Sequence, residues 1–168
     1  WRNKQNELIM NSAGEGLYGL DLNGNTSFVN PAAVQMLGWK QKELLGKPQH
    51  DLIHHTRSDG TPYPREECPV YAAFMDGEVH QVDDEVFWRK DGTSFPVEYT
   101  STPICDDYGE LSGAVVVFRD ITQRKEDEEK LIKIQENLAS AERISHLGSW
   151  TLDLTKNTLW WSDEIYRI

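Results

Sequence analysis

Three long runs of β-branched and aromatic residues limit the fold more than any other feature: VDDEVFWRK (82–90), TSFPVEYTSTPI (93–104) and LSGAVVVFRD (111–120). Such side chains pack well on a pleated, half-buried surface, so each run predicts a strand. Asp91-Gly92 and DDYGE (106–110) lie between them, and both are turn signals, so consecutive strands fold back antiparallel. Leu17, Tyr18, Leu20 and Leu22 predict a further strand, and Phe28 with Val29 its return, around the hairpin signal Asn23-Gly24. Asn30-Pro31 then suits a helix start, with Asn as cap and Pro at the first helical position. That helix, AAVQMLGW, offers Val34, Met36 and Leu37 inward; KQKELLG (40–46) is a second amphipathic turn. Residues 48–65 are rich in Pro and Gly and read as an irregular loop. A helix over 66–76 carries Val70, Tyr71 and Phe74 on one side, and Asp76-Gly77 closes it. The pattern is α+β: a five-stranded antiparallel sheet with helices inserted between strands two and three, followed by a long exit helix.

Flanking segments complete the organisation. Residues 1–14 read as an N-terminal flanking helix, with Leu8 and Ile9 as its apolar face. After a domain over 15–121, residues 122–147 are strong helix formers free of Pro. Leu131, Ile134, Leu138 and Ala141 fall three and four apart there, which predicts either a short two-helix coiled coil or a helix docked on its own domain by one stripe. LDLTKNT (152–158) repeats LDLNGNT (20–26) at five of seven positions, at an offset of 132 residues. Phe28 corresponds to Trp160 and Asn30 to Ser162, so residues 148–168 read as the truncated start of a second copy of the domain. They are expected to be disordered, docked opportunistically or swapped into a neighbouring sheet edge.

Composition excludes several classes of partner. The chain of 168 residues carries 28 acidic and 17 basic side chains, a formal charge of −11. That argues against nucleic acid and against an anionic membrane surface. No apolar run approaches the roughly 20 residues of a membrane span, so no membrane insertion is expected. Cys68 and Cys105 make no disulfide framework, which points to a reducing, cytoplasmic setting. Trp1 in place of an initiator Met suggests a piece of a longer protein.

The hairpin with its NG turn, NPAAVQMLGW, KELLGK, FWRKDGTSFPVEYTSTPI and GELSGAVVVFRDITQRKEDEEKL follow one another in an order that resembles the PAS sensor family. The likeness covers about residues 5–145, and the segment after 148 resembles the opening of a second such domain. It implies a sensor module that binds a small molecule or cofactor between sheet and helices. Its state would bias the exit helix and, through it, a downstream effector of histidine kinase or diguanylate cyclase class. Asp120, Ile121 and Thr122 match the family's terminal signature, and Asp120 would pair with Arg89 or Lys90. With Leu131, Ile134 and Leu138 they form the expected signal relay, acting in a homodimer joined through the linker and the flanking helix. Strand register near 111–120 would shift, and the paired exit helices would repack.

The resemblance also constrains the cofactor. In the flavin-binding light-sensing branch the adduct-forming Cys would fall at Gln49, the flavin-holding Asn at Phe87, and the second amide pair at Val97 and Glu98. All four are absent, which argues against a covalent flavin photosensor. Non-covalent FAD stays open, with Trp39 or Trp88 as a stacking face. In the haem branch the proximal His would fall near Glu66, a poor axial ligand; His54 or His55 would have to ligate from the loop. Cys68-Pro69 resembles a haem-regulatory dipeptide, but a buried Cys at a helix start is also an ordinary small apolar residue. His54, His55, Cys68 and His80 have no zinc-ligand spacing, so no metal site is expected.

The candidate ligand-binding residues are therefore His54, His55, Tyr63, Cys68, Tyr71, Phe74, Phe87, Trp88 and Tyr99. No catalytic set assembles: nucleophile elbow, phosphate loop and HExxH are all missing, and His146 lacks a kinase signature after it. Two readings remain. A ligand sensor predicts a cavity of several hundred Å³, whereas a relay whose core its own side chains fill predicts only a few tens.

Overall fold

Asn30 organises the start of the domain. It caps α1 (Pro31–Leu37) by accepting from Ala33 N at 2.9 Å. The same oxygen accepts from Leu17 N at 2.9 Å, and the amide nitrogen donates to Glu15 O at 3.0 Å. One buried side chain thus joins β1 (Gly16–Leu20) to the helix that follows β2 (Thr26–Val29). The hairpin closes through Asp21–Asn25, wider than a two-residue Asn-Gly turn. Asp21 accepts from Asn23 N and Asn25 N, and Gly24 takes φ 79°. A bulge between Gly19 and Leu20 absorbs the extra residue.

This computed structural model describes residues 14–145, 150–162 and 165. The expected helix over 3–13 and His146 lie outside them. The chain forms two compact units, Trp1–Thr122 and Gln123–Ile168. In the first, β3 (His80–Trp88), β4 (Ser94–Cys105) and β5 (Leu111–Asp120) complete a five-stranded antiparallel sheet of order β2-β1-β5-β4-β3. Between β2 and β3 lie α2 (Gln41–Leu44), α3 (Gln49–Ile53), a 3-10 turn (Arg65–Glu67) and α4 (Pro69–Asp76). Residues 48–65 are thus more regular than the reading from Pro and Gly: α3 occupies their start and a bridge joins Thr56 to Pro62. The final helix of this group starts at Pro69, not 66, because Pro64 and Pro69 divide the segment into a 3-10 turn and a true helix.

Alternation places the core on one sheet face. Phe95, Val97, Tyr99 and Ser101 of β4 are buried, as are Ala114, Val116 and Phe118 of β5. Against them pack Ala33 and Leu37 of α1 (one turn apart, with Val34 and Met36 only half-buried), Leu44, Ile53, Val70 and Ala73. Gly113 has no room for a side chain, since a Cβ there would run into the Leu20 carbonyl at the end of the β1–β5 pairing.

In the second unit, α5 (Thr122–Ser145) leaves Leu131, Ile134 and Leu138 exposed at 61, 62 and 59%. β6 (Trp150–Asp153) and β7 (Thr158–Trp161) form an antiparallel hairpin. No helix of the described residues is long and apolar enough to cross a membrane.

Candidate functional site

A β-bulge creates the site. Val82 pairs with Tyr99 and Glu85 with Val97, so three steps on β3 answer two on β4. A slip of one residue exchanges the two faces of a strand. It therefore turns Glu85 and Phe87 towards the core and leaves Asp83 and Asp84 exposed. Glu85 Oε1 accepts from the Tyr63 hydroxyl at 2.6 Å, and Oε2 from the Tyr99 hydroxyl at 2.7 Å. His54 Nε2 lies 2.8 Å from Glu85 Oε2, and its Nδ1 lies 3.2 Å from Cys68 Sγ. His54, one residue past α3, and Cys68, one residue before α4, are 3% and 2% exposed. The result is a thiol–imidazole–carboxylate chain inside the sheet–helix interface.

Mutual contact sets the charges. Burial raises the Cys68 thiol, but the His50 and His54 imidazoles that face it outweigh burial and bring it down from 9.0 to about 6. Burial disfavours the His54 imidazolium, yet Cys68 and Glu85 raise it from 6.5 to about 9. Glu85 is raised by burial and lowered more by His54, Tyr63 and Tyr99, to about 2. The three shifts run in one direction, favouring the deprotonated thiol, the protonated imidazole and the ionised carboxylate. Burial and then Glu85 push the Tyr63 and Tyr99 hydroxyls well above their usual range, so both remain donors.

His50 joins from one turn up α3. Its Nε2 is 2.8 Å from the Tyr63 carbonyl, and its buried Nδ1 has no hydrogen bond of standard geometry. One donor atom from each of His50, His54 and Cys68 lies within 4.8 Å of the other two. The cavity they line, with Tyr18, Leu20, Tyr71 and Phe74, holds about 20 Å³. A more polar cleft of about 210 Å³ lies beside His54, Tyr63 and Glu85, bounded by Arg57, Asp59 and Asp84.

Among the nine candidate ligand-binding residues, His54, Tyr63, Cys68, Phe87 and Tyr99 meet around Glu85; Phe87 stacks on Tyr99 with ring centroids 5.4 Å apart. Tyr71 and Phe74 are half-buried at the cavity wall. His55 and Trp88 sit apart, stacked on each other, with Trp88 Nε1 donating to the Thr56 carbonyl at 2.7 Å. His80 pairs with Asp76 at 2.8 Å, away from Cys68. Haem and isoalloxazine need several hundred Å³, and an interior of about 20 Å³ fits neither. Gln49, where an adduct-forming Cys would stand, is buried and accepts from Thr26 Oγ1 at 2.5 Å.

The sequence reading missed His50 and Glu85. The i, i+4 spacing of His50 and His54 was available, but only if residues 49–53 are taken as a helix. Glu85 stands in an acidic run that reads as solvated; the bulge alone turns it inward.

Of the expected relay residues, Asp120, Ile121 and Thr122 lie where β5 ends and α5 begins, and Leu131, Ile134 and Leu138 lie along α5. Asp120 Oδ2 accepts from Arg89 Nη2 at 3.1 Å, and Oδ1 from Thr122 N at 2.9 Å and Thr122 Oγ1 at 2.5 Å. Arg89 Nε also donates to the Met36 carbonyl at 3.0 Å, while Lys90 reaches Glu43 at 2.7 Å. Ile121 is buried and its N donates to the Pro96 carbonyl.

Comparisons with known proteins agree with this architecture. The chain is 32% identical over 143 residues to the signal transduction histidine-protein kinase AtoS of Escherichia coli K12, a match that covers 85% of this chain and 21% of that protein. It is 29% identical over 142 residues to the probable diguanylate cyclase DgcE of the same organism, covering 84% of this chain and 12% of that one. The crystal structure of a PAS domain from Colwellia psychrerythraea superposes with a TM-score of 0.60 at 20% identity, over 73% of this chain and 99% of that one. Because the family described as the PAS fold matches residues 4–121, the chain belongs to the PAS family.

Proposed function

We propose that residues 15–121 are the regulatory sensor module of a signal-transduction protein of histidine kinase or diguanylate cyclase class. Any kinase or cyclase chemistry would reside in an effector domain outside these residues. The observation that carries this reading is the Cys68–His54–Glu85 chain, a set of coupled titratable side chains where sheet and helices meet, two of them buried and Glu85 half-buried. Such a set responds to a small occupant or to chemistry at the thiol, because any change in one member alters the charge its neighbours tolerate. Output would leave through β5: Tyr99 pairs with Phe118, two residues before Asp120, which holds Arg89 and the start of α5.

Hydrogen–deuterium exchange on the 168-residue chain tests the coupling. Cys68→Ser and His54→Gln should each raise exchange in residues 111–125 as well as around the substituted site. Exchange confined to residues 49–90 in both variants would overturn the reading.

The relay reading, in which the module holds no ligand, is favoured by the interior cavity of only about 20 Å³. Native mass spectrometry separates the two, since a relay shows the mass of the bare chain before and after denaturation. In either case the exposed seam Leu131, Ile134, Leu138 would meet its copy in a second chain, making a homodimer.

Residues 148–168 would open a second domain of the same kind. Tyr18↔Val29 and Gly19↔Phe28 in the first hairpin recur at the same offset as Trp150↔Trp161 and Thr151↔Trp160 in the second. Asp153 accepts from Thr155 N and Lys156 N, much as its counterpart Asp21 accepts from Asn23 N and Asn25 N.

A further inference from the structure

The side chains around the small interior cavity carry a more specific assignment. We propose that His50, His54 and Cys68 form a mononuclear site for a thiophilic transition-metal cation of the zinc class. This deepens the sensor reading above and rests on it, by naming the occupant of the interior.

The donor set is one thiol sulfur and two imidazole nitrogens, the borderline-soft ligands that zinc prefers over oxygen-only sites. His50 and His54 stand one turn apart, and Cys68 reaches the same point from the start of α4. Metal-binding histidines characteristically turn their second nitrogen to a carboxylate or a carbonyl, which fixes the ring and leaves the other nitrogen's lone pair for the metal. Both second nitrogens face such an oxygen here: His50 Nε2 is hydrogen-bonded to the Tyr63 carbonyl and His54 Nε2 makes an ion-pair contact with Glu85, each at 2.8 Å. Tyr63 and Tyr99 hold Glu85 from its far side. Both Nδ1 atoms are therefore left for the thiol side, and that of His50 has no hydrogen bond of standard geometry.

Distances allow closure. Tetrahedral zinc with ordinary Zn–S and Zn–N bonds places its donor atoms about 3.4–3.6 Å apart. His54 Nδ1 and Cys68 Sγ already lie 3.2 Å apart, and no pair exceeds 4.8 Å. Closing the widest gap to that spacing takes at most about 1.2–1.4 Å. The cavity of about 20 Å³ suits one ion and one small fourth ligand, and no organic cofactor. Gln49 gives a second, independent indication: it is 2% exposed, lines the same cavity, and leaves its Nε2 without a partner. A water on the open fourth position would satisfy that donor.

Cobalt(II), a spectroscopic probe for zinc sites, tests the proposal on the reduced, chelator-treated 168-residue chain. The expected result is one equivalent of Co²⁺ bound, with a sulfur-to-cobalt charge-transfer band near 320 nm and strong tetrahedral d–d bands near 600–700 nm, all erased by one equivalent of Zn²⁺. Cys105→Ser should leave the spectrum intact, since that thiol is exposed at the end of β4. Cys68→Ser should remove the charge-transfer band. His50→Gln, checked for folding by circular dichroism, should weaken Co²⁺ binding at least tenfold. Absence of a charge-transfer band in the native chain, its survival in Cys68→Ser, or unchanged affinity in folded His50→Gln would each overturn the site. The sensor reading stands or falls separately, on the exchange experiment above.

Discussion

Glu85→Gln is the sharpest test of the buried cluster. The substitution keeps size and shape but removes the charge that faces His54 at 2.8 Å and accepts from Tyr63 and Tyr99 at 2.6 and 2.7 Å. A hydrogen bond to a charged group contributes about 1.5–3 kcal/mol, and removing one partner of a buried ion pair costs about 3–5 kcal/mol. Glu85 is only half-buried, His54 can release its proton once Glu85 is neutral, and one tyrosine still finds the amide oxygen, so the loss should sit near the lower limit, about 3 kcal/mol. In urea at pH 6, with a slope of about 1.5 kcal/mol per molar, the midpoint should fall by about 2 M. Glu98→Gln is the control. Its partner Arg119 is 58% exposed, and breaking a surface pair of that kind costs under about 1 kcal/mol. The pH dependence has a definite sign. Glu85 is held below its ordinary 4.5, so its contribution is present above that pH and is lost as pH falls through about 2. His54 is raised above 6.5, so its contribution is full below 6.5 and is lost as pH rises through about 9. The gap between wild type and Glu85→Gln should therefore be widest between pH 4.5 and 6.5 and narrow on both sides. A Glu85→Gln midpoint within 0.3 M of Glu98→Gln, a difference of about 0.5 kcal/mol, would refute the argument.

Three further outcomes follow from the geometry. Gly113→Ala drives a Cβ into the Leu20 carbonyl and should cost at least about 2 kcal/mol by parting β1 from β5, read as early exchange of the Gly16–Leu20 amides. Asp120→Asn weakens the Arg89 pair and the bonds to Thr122; a loss of about 1–2 kcal/mol in thermal unfolding is expected, with fraying of the first turn of α5. Leu138→Glu places a charge in the exposed seam and should leave the urea midpoint unchanged while sedimentation equilibrium reports a monomer; dimerisation at wild-type strength would remove the coiled coil.

Much of the fold was legible because it rests on local rules. Alternation over 94–104 and 111–120 already separates Phe95, Val97 and Tyr99 from Glu98 and Thr100, and that is the buried face observed. Asn30-Pro31 marks the helix start, since an Asn cap followed by Pro leaves the chain little other choice there. Residues 48–65 were less legible. Their helix is only five residues long, too short to show a period, and tertiary contacts hold it.

The amino-acid order by itself determines the five strands, where the chain turns between them, the helix-forming tail and the recurrence of the first hairpin, because each depends on neighbours a few residues apart. It also places Arg89 one residue before Lys90 in a turn that can meet Asp120. Only the tertiary structure decides the site. A one-residue bulge converts Glu85 from a surface acid into a half-buried partner, and the packing of α3 beside α4 brings His50 and His54 against Cys68, eighteen and fourteen residues further along. Those contacts depend on strand register and helix placement, which are settled by burial across the whole core rather than by local preference.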